Sequence, residues 1–399
     1  MTNNLKTIIL LCLGCLLYLI TITISYADQA IQIENKINES FQSMCEKNQF
    51  SGNVLVAIHG KIIFKKSCGF ANRSFHIENN LKTKFNLGSV GKLFTSISIA
   101  QLAQKNKIIL NQQAYQIIPS WLPKQTDKTI TIEQLLIHAS GLGSFMDDTR
   151  FKLGSDSALY VDVNDYKPLL VEDKHLFKPG MSQSYSNNGY ILLGAIIESL
   201  SGVSYSDYVK RNIFDIANMK ETGIWRLDES VPDRAEGYFS DCHQGKCQWK
   251  NNNFEVPLMG SPAGGAYSTV EDLFRFSNAL HSKKLLNQKL TAEILSTDIV
   301  TVSKDVKLKS YKIGNLSIPE NISAYGFSGA WNKFGFAVWK DPSLVGHTGG
   351  IKGASAFFAT SPNNQYTIII LSNIDGSGPI LLYKKIREAL GLSVEISNY

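Results

Sequence analysis

Ser89 and Lys92 stand three residues apart, Tyr185 and Asn187 two apart, and His347, Thr348, Gly349 and Gly350 form one run near the end of the chain. Serine is a weak nucleophile until a base takes its proton, and a lysine at i+3 shares its helical face, so the amine can reach the hydroxyl. Tyr185 is a second candidate base. Flanked by cationic Lys92, and with His347 as a possible further cation, its phenol is expected to ionise more readily, take the Ser89 proton and return it to a leaving group. Asn187 can hold Lys92 and offer its amide to a substrate carbonyl. The N–H groups of Ser89 and Gly350 are candidate donors to a developing oxyanion, and Gly349 and Gly350 let a ligand backbone approach. Each motif alone is weak; if the three segments meet in the fold, they form an acyl-transfer site.

Elements must exist to position these groups. Ser89 opens a run, Leu93 to Leu102, with no charge, Gly or Pro and with apolar residues on several faces. Such a helix is buried, and its N-terminus offers unpaired N–H groups and positive potential beside Ser89. Val54–His59 and Lys61–Lys65 read as a hairpin around Gly60, and strand-like runs return at Phe334–Trp339, Ala354–Thr360 and Tyr366–Ser372. Helical patterns cover Asp28–Lys47, Ile132–Ile137, Tyr190–Leu200, Tyr205–Ile213, Val270–Leu280 and Leu381–Leu390. Strands at both ends with helices between them predict a sheet built from the two termini, about 28–85 and 300–399, interrupted by a mostly helical subdomain at about 86–299. Met146–Phe177 and Trp225–Val256 lie outside that frame as long loops suited to wall a cleft.

The first 27 residues read as an export signal: Lys6, an apolar run from Thr7 to Ile24, then Ser25-Tyr26-Ala27 before Asp28. An uncleaved anchor is the alternative, since about 18 apolar residues are at the lower edge of a bilayer span. No second membrane segment follows, so no stable span is expected once the signal is cleaved. The net charge of +6 on 399 residues is spread without basic blocks, which argues against nucleic acid as a partner. Past the signal remain Cys45, Cys68, Cys242 and Cys247. An even number in an exported chain suggests disulfides, with three pairings open; Cys242–Cys247 looks like a short loop closed on itself, which would leave Cys45 for Cys68. A zinc site through His243 is the rival reading, without a visible second ligand pair. No cofactor or metal is expected.

These residues carry a family resemblance. Ser89-x-x-Lys92, Tyr185-x-Asn187 and His347-Thr348-Gly349, in this order, resemble the motifs of the serine β-lactamase and penicillin-binding protein superfamily, in its class C-like branch. Leu135–Leu142 and Gly264–Thr269 also look familiar, so the resemblance covers nearly the whole chain beyond the signal. It implies an α/β (α+β) fold of the β-lactamase/transpeptidase type. It also implies that Ser89 is acylated, that Lys92 and Tyr185 shuttle protons, and that Asn187, His347, Thr348, Gly349 and Gly350 hold the substrate. His347 stands where class C β-lactamases carry lysine, which points toward D-amino-acid peptides or small esters rather than β-lactams alone. The competing expectation is a penicillin-binding or sensor-like protein that keeps the pocket without turnover. His138 and Ser140 are expected to serve structure, and Trp331 and Trp339 to be core or cleft wall.

Overall fold

The structure, a computed structural model, describes residues 30–392 except 123, 125–126, 152–153, 155–156, 173–174, 244–245, 301, 303–309, 314–315, 320–321, 324–326, 329 and 340–343. The expected signal segment, with Cys12 and Cys15, lies outside the described residues.

Six antiparallel strands form the main sheet: β1 (Gly52–Ile58), β2 (Lys61–Cys68), β3 (Ala337–Trp339), β4 (Leu344–Ile351), β5 (Ala354–Thr360) and β6 (Tyr366–Ser372), in the order β3-β4-β5-β6-β1-β2. The hairpin β1–β2 from the start of the chain thus docks on β6 from its end, with Val54 opposite Ile370 and Val56 opposite Ile368. Side chains along a strand point alternately to the two faces, so a strand buried on both sides reads as a continuous apolar run. That is why β1 and β6 show no polar alternation. Val54, Val56, Ile368 and Ile370 pack toward one face, with Ile37 and Phe41 of helix α1 (30–46) and Leu382 and Ile386 of helix α5 (Gly378–Ala389). Leu55, Ala57, Ile369 and Leu371 pack toward the other face, into the larger core with the helices of the middle of the chain.

Three of those helices position the site. Helix α2 (Lys92–Gln104) follows a 3-10 turn, Gly88–Gly91, and is buried from Lys92 to Leu102. Phe94 meets Phe214 and Phe276 edge-on at 5.0 and 5.3 Å. The hydroxyls buried with it find acceptors: Thr95 donates to Pro262 O at 2.7 Å and Ser98 to Phe94 O at 2.8 Å. A helix apolar on all sides is in this way placed at the centre of the molecule. Helix α3 (Asn187–Ser201) starts at Ser186, whose hydroxyl accepts from Gly189 N at 3.0 Å, and stops at left-handed Gly202. The polar run Tyr185–Gly189 is therefore a helix start, which locks Tyr185 and Asn187 on either side of one cap. Helix α4 (Val270–His281) is capped by Thr269 and has Glu271 and Asp272 in its first turn, where the helix dipole favours them.

Some boundaries differ from expectation. Strand β3 begins at Ala337 rather than Phe334, because Gly335 turns the chain at φ 73°. Tyr205–Ile213 is an α-helical turn, Tyr205–Val209, running into a π-helical turn, Lys210–Phe214. His281, for which the sequence suggests no partner, is hydrogen-bonded at Nε2 to Thr360 Oγ1, 2.9 Å away. Cys45 pairs with Cys68, tying α1 to β2, and Cys242 pairs with Cys247 across the hairpin Tyr238–His243 and Lys246–Asn251.

Candidate active site

The three sequence segments converge. Strand β3 stops pairing with β4 at Gly346, so the outer edge of β4 from His347 to Ile351 is left for the turn that carries Ser89. The approach is too close for side chains. A Cβ on Gly349 would lie 1.9 Å from Leu87 O and 3.0 Å from Ser89 N, and one on Gly88, itself at φ 46°, would lie 2.9 Å from Gly350 N. Glycine at both positions brings the Ser89 and Gly350 amides side by side.

Lys92, the first residue of α2, is completely buried. Its Nζ lies 3.2 Å from Ser89 Oγ and 2.7 Å from Asn187 Oδ1, and bonds closely to Ala263 O. No carboxylate appears among these partners. Burial holds the Lys92 amine well below its ordinary range, because the ammonium is the form that loses hydration. A neutral amine has two hydrogens and one lone pair. In that form the hydrogens can go to the two carbonyl oxygens and the lone pair can face the Ser89 hydroxyl, whereas the ammonium form donates to all three oxygens.

Tyr185 corrects the sequence expectation. Its phenol is pushed up rather than down, chiefly by burial, with the Ser89 hydroxyl that faces it offsetting part of the rise. Lys92 Nζ does sit over the Tyr185 ring, 4.8 Å from the centroid. Desolvation of the phenolate nonetheless prevails over the neighbouring amine. The Tyr185 oxygen is shielded from solvent without a hydrogen bond of ordinary geometry.

His347 is also buried, and burial followed by Lys92 pushes its pKa down to about 3. The imidazole is therefore neutral at pH 7. Nδ1 bonds closely to the Thr348 carbonyl oxygen, which can only accept, so Nδ1 carries the proton and Nε2 is the acceptor nitrogen. Thr348 is buried beside it in β4.

Two contributors were not visible as such in the sequence. His138 and Ser140 do not form a hydrolytic pair: Ser140 Oγ accepts from Leu142 N, while the His138 ring lies 4.5 Å from Tyr185 and 4.5 Å from Trp331. His138 Nδ1 accepts the Ser186 N–H at 3.1 Å, so its proton is on Nε2, and burial keeps the ring neutral. Ser144 accepts from Asn187 Nδ2 at 2.9 Å, which turns Asn187 Oδ1 toward Lys92 and occupies part of the amide expected to meet substrate. Gly143 O and Phe145 N bond Ser186 and Asn188 in the same way, so residues 143–145 ride on the start of α3. Nothing in a lone Ser or a lone His gives this away; only the Leu135–Leu142 segment hinted at it.

A cleft opens beside Ser89, bordered by Asn187, Gly264, Gly350 and Ile351 and walled by Met146, Trp225 and Val256 from the two long loops and by Leu258 just beyond them. Among the described residues, no group of three or more His, Cys, Asp or Glu is gathered as a metal site would need. No helix among them is long and apolar enough to cross a membrane.

Comparison with known proteins gives one consistent family and fold. A family model described as Beta-lactamase matches residues 37–392. Penicillin-binding protein 4* of Bacillus subtilis (strain 168) is 31% identical over 346 residues, spanning 84% of this chain and 70% of its own. A penicillin binding protein from Bacillus halodurans has a crystal structure that superposes with a TM-score of 0.71 at 28% identity, covering 88% of this chain and 98% of its own. The D-amino acid amidase from Ochrobactrum anthropi SV3, solved with L-phenylalanine amide, shares the fold at a TM-score of 0.71 and 21% identity, covering 91% and 99% of the two chains.

Proposed function

The chain belongs to the Beta-lactamase family, and from that premise we propose that it is an exported serine hydrolase that cleaves an amide or ester through an acyl-enzyme on Ser89. The observation that carries this reading is the placement of the buried Lys92 amine between Ser89 Oγ and the carbonyl oxygens of Asn187 and Ala263.

In this mechanism Lys92 takes the Ser89 proton as Oγ attacks the substrate carbonyl. The resulting oxyanion lies between the Ser89 and Gly350 amides, a preorganised pair of donors. Tyr185 keeps its proton in the resting site, which suits it to pass a proton from Lys92 to the departing amine or alcohol. The carbonyl–heteroatom bond breaks, the leaving group departs protonated, and the acyl group stays on Ser89. Water then attacks the ester, returns a proton to the site and releases a carboxylic acid. Asn187 holds Lys92 in place, and β4 with Thr348, Gly349 and Gly350 lines the substrate.

Neutral His347 supports substrates that need no cation at that position, such as D-amino-acid amides or simple esters, over β-lactams and other substrates that present a carboxylate there. Export is supported by the signal-like first 27 residues and by the two disulfides, which persist in oxidising compartments.

The test is intact-mass measurement of the purified protein after exposure to a small ester, a D-Ala-D-Ala peptide and a cephalosporin, beside Ser89→Ala. The expected outcome is an adduct and turnover that vanish in the variant. Turnover surviving Ser89→Ala overturns the proposal, and an adduct that never clears assigns the protein to penicillin binding without turnover.

A further inference from the structure

The cleft beside Ser89 has a composition that restricts what can occupy it. Its wall is formed by Met146, Trp225, Leu227, Val256, Leu258 and Met259, and no charged side chain is among its described lining residues. The wall is also preformed. Leu227 N donates to Leu258 O at 2.8 Å and Arg226 bridges Met259, so the two segments make a short ribbon. The Trp225 ring is seated on Gly223, where a Cβ would lie 2.3 Å from it. Behind the wall, the Arg234 guanidinium donates to the carbonyl oxygens of Arg226, Leu227 and Glu229 and lies over the Tyr267 ring. That cation braces the ribbon, and its donors are directed at main-chain carbonyls.

The side of the scissile bond can also be assigned. A leaving group departs toward the residue that protonates it. Tyr185, Lys92 and His347 do not line this cleft, whereas Ser89, Asn187 and Gly350 do. Lys92 bonds from behind to Asn187 and Ala263 of the lining, whereas Tyr185 and His347 stand outside it, so the cleft is assigned to the group that stays on Ser89.

We propose that the acyl half of the substrate carries an uncharged apolar arm, aryl or branched alkyl, and that this arm fills the cleft, with Trp225, Leu258 and Met259 determining specificity. The inference rests on acylation of Ser89 and names its substrate class. An ionised arm would lose its hydration against this wall without a counter-charge, whereas an apolar one gains by leaving water.

A series of p-nitrophenyl esters with one common leaving group tests this: acetyl, isovaleryl, phenylacetyl and the anionic succinyl ester, compared by kcat/KM. Isovaleryl and phenylacetyl esters are expected to exceed acetyl about tenfold or more, and succinyl to fall below it. Leu258→Lys is expected to invert the phenylacetyl-to-succinyl ratio, whatever the absolute rates. Trp225→Ala, with its fold checked by thermal melting, is expected to flatten the series. Acetylation of Ser89, read by intact mass, tests the underlying mechanism separately. Ser89 acetylated with no preference among arms, or with succinyl preferred, overturns the arm assignment and leaves the acyl-enzyme standing. No acylation by any ester overturns both.

Discussion

The His138 ring lies 4.5 Å from that of Tyr185, tilted by 30°, and its Nδ1 takes the N–H of the residue that follows Tyr185. One side chain thereby fixes both the plane of the phenol and the backbone beneath it. His138→Phe keeps a ring but orphans the Ser186 N–H, a loss of about 1–3 kcal/mol for a buried donor. The expected result is a lower melting temperature and a fall in kcat with KM little changed. Unaltered kcat in a folded variant would remove His138 from any positioning role.

Lys92 and Tyr185 separate by substitution. Lys92→Arg places a permanent cation there and cannot supply a free amine, and acylation is expected to fall by about 10²–10⁴. Tyr185→Phe removes only an oxygen and is expected to fold normally while losing most of its acylation. If stopped-flow acylation persists in Tyr185→Phe and disappears in Lys92→Arg, Lys92 alone carries the proton.

Gly349→Ala tests the close approach of β4 to the serine turn. A methyl group 1.9 Å from Leu87 O forces the two backbones apart, and overpacking of this kind costs about 1–3 kcal/mol. Acylation should fall further than stability alone explains, because the Ser89 and Gly350 amides separate. Denaturant unfolding and labelling of Ser89 in the same sample would show whether the two losses dissociate.

Stability should fall in acid. His347 and His281 are held near pKa values of about 3 and about 4 in the fold, chiefly by burial, against an ordinary value of about 6.5 when unfolded. The unfolded chain binds protons first as pH drops, so this stability is fully present above about 6.5 and is lost toward the folded values. Melting temperatures measured from pH 7.5 to 4.5 should decline across that window. A flat profile would mean that these rings titrate in the fold as they do in the unfolded chain.

The disulfides should contribute unequally. Cys45–Cys68 spans 23 residues and Cys242–Cys247 spans 5, for which loop-closure entropy gives about 3 and about 2 kcal/mol. Paired serine substitutions followed by urea unfolding should rank them in that order.

The sheet built from both chain ends was legible because its strands are buried on both faces and carry apolar runs, Ala356–Ala359 and Ile368–Leu371, within Ala354–Thr360 and Tyr366–Ser372. Ser89, Lys92, Tyr185, Asn187 and His347 were legible as residue types in order, and the fold places them together. The ionisation of Tyr185 was not, because it depends on how much water the packing removes, and pairwise charge alone suggested the opposite sign. Ser144 was not legible, and His138 only as a structural residue without its contacts, for a related reason. Their parts come from Asn187 and Tyr185 arriving beside them from more than 40 residues away.

The central pairing of β1 with β6 joins residues 52–58 to residues 366–372. During synthesis, the strand completing the sheet is among the last made, and β4, which supplies the Gly350 amide, comes only shortly before it. No fragment that stops before β4 holds Ser89, Lys92 and the Gly350 amide together. Contacts of such long range form slowly, so the proposed hydrolysis waits until β4 and β6 have been made and paired.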